Sequence, residues 1–435
     1  MRLHGTKVPH HKNTADMAPV RLPLPEVVTV PMSMHIGKPA KPTVKRGDTV
    51  KVGTLIGEPD GFISAPVHSS VSGKVLRIDE VSMSSGGMVK TVVIETDGLQ
   101  EIDESVKPPE VSDFDSFVAA VKRSGIVGLG GAGFPSFVKL AVKDLSKIEE
   151  VVINAAECEP YITSDTRTML DKTEYIFKGI DALRKYLGVR KFIIGIEDNK
   201  GKCVKRLKEF SKNEDGVETY VVSSMYPQGG EKVLVYNTTG KIIPQGGLPL
   251  DVGVIVINVT TLAFVGEYLE TGMPLIEKVV TVDGSAVGEP KNVIAPIGTP
   301  VKNLLGFCNA DSEPAKILYG GPMMGIAVDS AEAPVLKMTN AVIAMDEKEG
   351  TPPKTTPCIN CGRCLNHCAL RLDPRAIAKA YDLRSGEDLE ALCVDLCMEC
   401  GCCAYVCPAK RPLIQTNKLA KALLREYKSK KEEKK

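Results

Sequence analysis

Between residues 112 and 272, short β-branched runs at Val151–Ile153, Phe192–Ile196, Tyr220–Val222 and Val254–Val259 alternate with amphipathic stretches at 114–124, 136–147, 174–188, 200–211 and 261–270. Continuous apolar runs of that length suit strands buried on both faces, and the spacing suits crossover helices. The pattern predicts a mostly parallel α/β domain. Residues 31–98 have a different rhythm. Val44–Val50, Gly53–Gly57, Ala65–Val67 and Val71–Val75 are short and separated by glycine and proline turns, which predicts a small all-β module. Downstream, Val279–Val282, a turn at Asp283-Gly284 and a helix ending at Phe307 predict a compact α+β unit over 275–330. Residues 1–30, rich in His and Pro, predict an irregular arm. The charged, Pro-rich stretch 347–357 predicts a linker. A cysteine-rich module at 358–415 and a basic tail at 416–435 complete a multidomain α/β chain.

With 435 residues, 43% of them hydrophobic, the chain can fill about three cores. A net charge of +1 argues against nucleic acid as a partner. No apolar stretch approaches the ~18 residues of a membrane span, and the first 30 residues lack the features of a signal peptide. A cytoplasmic location is expected. There, 13 cysteines point to metal ligation or redox chemistry rather than disulfides.

Cys358-x₂-Cys361-x₂-Cys364-x₃-Cys368 recurs as Cys397-x₂-Cys400-x₂-Cys403-x₃-Cys407-Pro408. A cubane needs four converging thiolates, and a tight loop supplies three. In two-cluster ferredoxins the fourth cysteine of each run serves the other cluster. One 4Fe–4S cluster is therefore expected on Cys358, Cys361, Cys364 and Cys407, and a second on Cys397, Cys400, Cys403 and Cys368. Structural zinc, the competing assignment, favours paired cysteines or Cys/His pairs over four in one run. Cys402 adjoins Cys403 and competes for the register, which the spacing of the first run assigns to Cys403. Cys393, Cys203 and Cys308 read as bystanders. The insert 369–396 predicts helix padding.

Gly128-Leu129-Gly130-Gly131-Ala132-Gly133-Phe134-Pro135 satisfies G-x-G-x-x-G but does not follow a clear strand, so it is not a Rossmann turn. A simple tight turn is one reading. A cofactor cradle is the other: four glycines in six residues let backbone N–H groups approach a ring or phosphate, and Pro135 suits the start of a helix whose N-terminus favours an anion. Asn154-Ala155-Ala156-Glu157-Cys158-Glu159 follows the strand at 151–153. Tyr226-Pro227-Gln228-Gly229-Gly230-Glu231 follows Val222, and Asn258 ends the run at 254. Ligands bind beyond the C-terminal ends of such strands, although each polar residue alone also suits a cap or turn.

The glycine loop, the Asn-x-x-Glu-x-Glu segment and the later Asn resemble the flavin-binding subunit of respiratory complex I. With the β module, Tyr226–Lys232, a β-grasp unit at 275–330 and two terminal clusters, nearly the whole chain more closely resembles the RnfC family, the C-subunits of Rnf electron transport complexes. The β module is also similar to the barrel-sandwich fold of biotinyl and lipoyl carriers, but Ala65–Ser70 stands where their modified lysine would be. The resemblance implies FMN against Gly128, Gly130, Gly131 and Gly133, with Lys139, Asn154, Glu157, Tyr226, Gly229 and Asn258 around it. It implies NAD(H) stacking near Phe134 and positioned by Glu159. Ala156, Ile257 and Gly230 depart from the complex I pattern.

A nicotinamide exchanges two electrons, a cluster one, and a flavin converts between them. No side-chain acid or base is required. The family implies a peripheral subunit on the cytoplasmic face of the membrane, partnered with other Rnf subunits and linked through them to ferredoxin. A cobalamin reductase of microcompartments, with the same cofactors, and a non-enzymatic electron-transfer or scaffold protein are the alternatives. The tail lysines Lys418, Lys421, Lys428, Lys430 and Lys431, with Arg425, suit docking on an acidic partner or lipid, or a solvated end.

Overall fold

The computed structural model describes residues 5–82 and 87–432. Its centre is a four-stranded, wholly parallel sheet in the order Val217–Val222, Phe192–Glu197, Glu150–Ala155, Val254–Asn258. Helices cover it on both faces, as continuous apolar strands require. Thr173–Leu187 and Val259–Thr271 pack against each other on one side. Glu231–Thr239 closes the other, with Leu234 and Val235 against Val152, Val254 and Val256. The periodicity had no signal for this helix or for Ser164–Asp171.

The helix expected over 136–147 is shorter. It runs Ser136–Leu140, leaves helical geometry at Ala141, and is followed by a separate 3-10 turn, Leu145–Lys147, capped by the Asp144 side chain on Ser146 N. Local capping by aspartate outcompetes continuation.

The β module forms as two antiparallel sheets, Val27–Pro31, Met88–Thr96, Gly73–Ser82 and Thr49–Val50 in one, Lys41–Pro42, Leu55–Glu58 and Val67–His68 in the other. Val28, Val30, Ile56, Val67 and Ile94 fill the space between them.

The unit expected at 275–330 draws strands from outside those bounds. Its mixed six-stranded sheet runs Val20–Arg21, Lys291–Pro296, Glu277–Asp283, Ala341–Met345, Lys316–Tyr319, Ile326–Val328. Ala341–Met345 is buried along its length because it lies inside the sheet. Val20–Arg21 comes from the arm, which is therefore not irregular throughout. In the linker, Asp346 caps a one-turn helix, Glu347–Gly350.

The cysteine module carries helices Pro374–Asp382 and Gly386–Ala391 in the insert. The tail is neither frayed nor free to residue 432. Leu413–Glu432 is one helix whose Leu413, Asn417, Ala420 and Leu424 are buried, and Lys421, Lys428 and Lys431 pair with Glu399, Asp395 and Glu390. Its apolar stripe packs on the insert, with Ala420 and Leu424 against Ile377 and Leu389. Residues 433–435 of the expected tail, and 1–4 of the arm, lie outside the described residues. Among the described residues no helix is long and apolar enough to cross a membrane.

Candidate functional site

The glycine loop closes on itself through Gly128 N to Phe134 O, 2.9 Å. Leu129 N donates to Thr261 Oγ1 at 3.0 Å, and Gly133 O accepts from Ile36 N of the β module at 3.1 Å. A Cβ added at Gly131 would meet nothing within 4 Å, and at Gly128 nothing nearer than 3.7 Å. At Gly130 it would lie 2.4 Å from Asn258 Nδ2, and Gly133 holds φ +70°. The loop thus has bare backbone facing open space, with two positions that only glycine fills comfortably. The helix that follows spans one turn, too little for the dipole expected there.

Of the loops beyond the sheet, the one that starts at Asn258 meets the glycine loop at Gly130, and those carrying Asn154 and Gly229 are tied to each other. Asn258 caps the helix Val259–Thr271 through Oδ1 on Thr261 N, 3.0 Å, and donates Nδ2 to Asp165 Oδ2, 2.8 Å. The same Nδ2 lies beside Gly130. Lys139 donates to Val256 O at 2.9 Å and pairs with Glu231 at 3.1 Å. Asn154 bridges its own loop to the next, Nδ2 to Gly229 O at 2.9 Å and Oδ1 from Ala156 N at 3.2 Å. Phe134 is half-buried beside the loop.

Two expected contact residues face inward. Glu157 is half-buried and accepts from Asp165 N at 2.6 Å and Thr166 Oγ1 at 2.5 Å, holding the start of Ser164–Asp171. Glu159 accepts from the Tyr226 hydroxyl and from Met323 N, both at 3.1 Å. Burial pushes both carboxyls above the usual range. Lys12, from the arm, donates to the carbonyls of Glu157 (2.8 Å), Glu159 (2.8 Å) and Ile162 (2.5 Å). Lys12, Asp165, Thr261 and Met323 were missed in the sequence. Lys12 sits in an aperiodic polar arm, and the others lie outside the motifs.

In the cysteine module, Cys358, Cys361, Cys364 and Cys407 surround a recess of about 460 Å³. Cys368, Cys397, Cys400 and Cys403 line a second, tighter one together with Cys402. Each recess takes its fourth cysteine from the other run. The sulfurs receive amide donors: Asn360 N to Cys358 at 3.4 Å, Leu372 N to Cys368 at 3.3 Å, Asn417 Nδ2 to Cys397 at 3.4 Å. Such donors suit thiolates. Burial nevertheless pushes the thiols of Cys368, Cys397 and Cys403 up, Cys403 to about 12, so a bound metal must displace their protons. Cys402 Sγ points instead to Tyr226 O, 3.8 Å away. Among the described residues no three His, Cys, Asp or Glu side chains converge on a single-ion site; each set of four thiols rings a recess.

The second set abuts the glycine-loop domain. The Tyr226 hydroxyl donates to Cys400 O at 2.7 Å, and a Cβ on Gly230 would strike the Met398 side chain. Cys358 and Cys361, of the first set, are exposed.

Residues 121–267 match the Nuo51 FMN-binding domain, and residues 3–99 match the RnfC barrel sandwich hybrid domain. The C-subunit of the Na(+)-translocating ferredoxin:NAD(+) oxidoreductase complex of Acetobacterium woodii is 42% identical over 86% of this chain and 86% of its own. The chain belongs to the RnfC family, the C-subunits of Rnf complexes. Within that family, the C-subunit of the proton-translocating ferredoxin:NAD(+) oxidoreductase complex of Clostridium ljungdahlii is 39% identical over 84% of this chain and 81% of its own. The C-subunit of the ion-translocating oxidoreductase complex of Rhodobacter capsulatus is 36% identical, over 97% and 82%. The fold is shared with an NAD+-reducing nickel–iron hydrogenase in its H2-reduced state, at TM-score 0.51 and 17% identity, covering 71% of this chain and 63% of that one.

Proposed function

We propose that this chain is the nicotinamide-facing subunit of an ion-translocating ferredoxin:NAD+ oxidoreductase, holding FMN and two 4Fe–4S clusters and binding NAD(H). It would sit peripherally on the cytoplasmic face of the membrane, bound to other Rnf subunits and reaching ferredoxin through them. The observation that carries this reading is the 2.7 Å bond from Tyr226 to Cys400 O, which seats one cysteine set directly on the glycine-loop domain.

A flavin, when bound, converts between a hydride's two electrons and the single electrons that clusters carry. The residues present fit it. Gly128, Gly130, Gly131 and Gly133 leave backbone exposed to a ring, Asn258 offers an N–H held in place by Asp165, and Lys139 and Asn154 add donors at the rim. Glu157 shapes the loop from behind, while Tyr226 and Gly229 form the wall toward the cysteines. Phe134 would face the nicotinamide. Glu159, sequestered by Tyr226 and Met323, would act by fixing that wall. Cys368, Cys397, Cys400 and Cys403 would hold the cluster next to this site. Cys358, Cys361, Cys364 and Cys407 would hold the outer one, open to a partner.

Anaerobic purification with flavin and iron analysis tests this. About one flavin and about eight irons per chain are expected, both clusters being reducible by NADH as followed by EPR. About four irons or fewer, or no response to NADH with clusters intact, overturns it.

A further inference from the structure

We propose that the C-terminal helix tunes the reduction potential of the cluster on Cys368, Cys397, Cys400 and Cys403, through the Asn417 amide and the Lys421 ammonium. This rests on the two-cluster reading above. The helix, Leu413–Glu432, lies outside both cysteine runs, and the run spacing says nothing of it. Asn417 is only 2% exposed, yet among the described residues its side chain makes one hydrogen bond, Nδ2 to Cys397 Sγ at 3.4 Å, and its buried Oδ1 meets no partner. A buried amide ordinarily pairs both ends, and a thiol is a poor acceptor. The placement becomes favourable when the sulfur is a thiolate, which accepts strongly.

Lys421 lies one turn further along the same face. Its ammonium donates to Cys397 O at 3.1 Å and to Glu399 Oε1 at 2.6 Å. Glu399 lies in the loop between Cys397 and Cys400, so an unpaired carboxylate there would set negative charge against the cluster. Reduction adds one electron to a cluster, and donors to sulfur and nearby positive charge stabilise the added charge. Asn417 and Lys421 therefore raise the potential of the cluster beside the glycine-loop domain.

The test is an EPR-monitored redox titration of the anaerobically prepared full chain, comparing the parent with Asn417→Leu and Lys421→Met. The signal lost in Cys368→Ser identifies the cluster. Each variant is expected to move that signal's midpoint to more negative potential, leaving the other signal and the iron and flavin content unchanged. A residue that only packs would alter iron content or melting without moving the midpoint. An unmoved midpoint with both clusters present, or a shift confined to the other signal, overturns the proposal. If Asn417→Leu loses iron, Lys421→Met decides alone, because Lys421 is partly exposed and its removal leaves the core intact. A parent chain lacking one of the clusters would instead overturn the two-cluster reading.

Discussion

Lys337 is buried to 1% exposure, and its ammonium donates to Pro66 O at 2.5 Å and Gly125 O at 2.7 Å, tying the β module to the root of the glycine loop. Burial lowers its pKa from 10.5 to about 7. Below pH 7 the side chain is protonated folded or unfolded and contributes no slope. Between about 7 and 10.5 the unfolded chain binds a proton that the folded chain lacks, so stability rises with pH across that window. Melting followed from pH 7 to 10 should show a shallower rise in Lys337→Met than in the parent. The glycines make a second prediction. Gly131→Ala, with open space at its Cβ, should keep the parent's melting temperature and lose flavin occupancy. Gly130→Ala drives a methyl into Asn258 and should also cost about 1–3 kcal/mol of stability. Equal flavin content in Gly131→Ala and the parent would remove the loop from the site.

Elements with one apolar face were legible in the sequence. Thr173–Leu187 and Gly201–Ser211 appear within a residue of expectation, because burying one stripe enforces a 3.6-residue period. Ser164–Asp171 was invisible because Ser164 through Met169 are all buried, polar residues included, and no stripe remains to read. The arm was illegible for a related reason. Its order comes from partners distant in sequence: Lys12 on the 157–162 carbonyls, the Thr6–Tyr226 bridge, and Val20–Arg21 on Lys291–Pro296. Lys12→Met removes three charge-assisted bonds at about 1.5–3 kcal/mol each. Amide exchange across 154–163 should speed up by at least about tenfold, with the parallel sheet's protection unchanged. Unaltered exchange would make the arm a passenger.

Across domains, the contact of greatest consequence is Tyr226, which joins Glu159, Cys400 and the arm. Tyr226→Phe leaves the ring packed but removes the one hydroxyl that Glu159 Oε1 and Cys400 O share, at about 1–3 kcal/mol. NADH should still bleach the flavin at the parent's rate in stopped flow, while cluster reduction slows. Parallel slowing of both, or of neither, would show that this joint does not set the passage between the two sites.

Legible in the sequence was what is local or periodic: the parallel sheet, the β module, and two cysteine runs whose spacing brings three thiols of each loop together. The cradle's glycines were legible too, since only glycine leaves backbone bare. The packing of separate segments decided the rest. It brought Asn258, Gly130 and Asp165 into one constellation, turned Glu157 and Glu159 inward, and drew Ala341–Met345 into a sheet begun before residue 22. It also laid the lysine-rich end against Cys397 as a helix. A buried polar group must find a partner, and that partner is chosen by distance in space, which residue order along the chain does not encode.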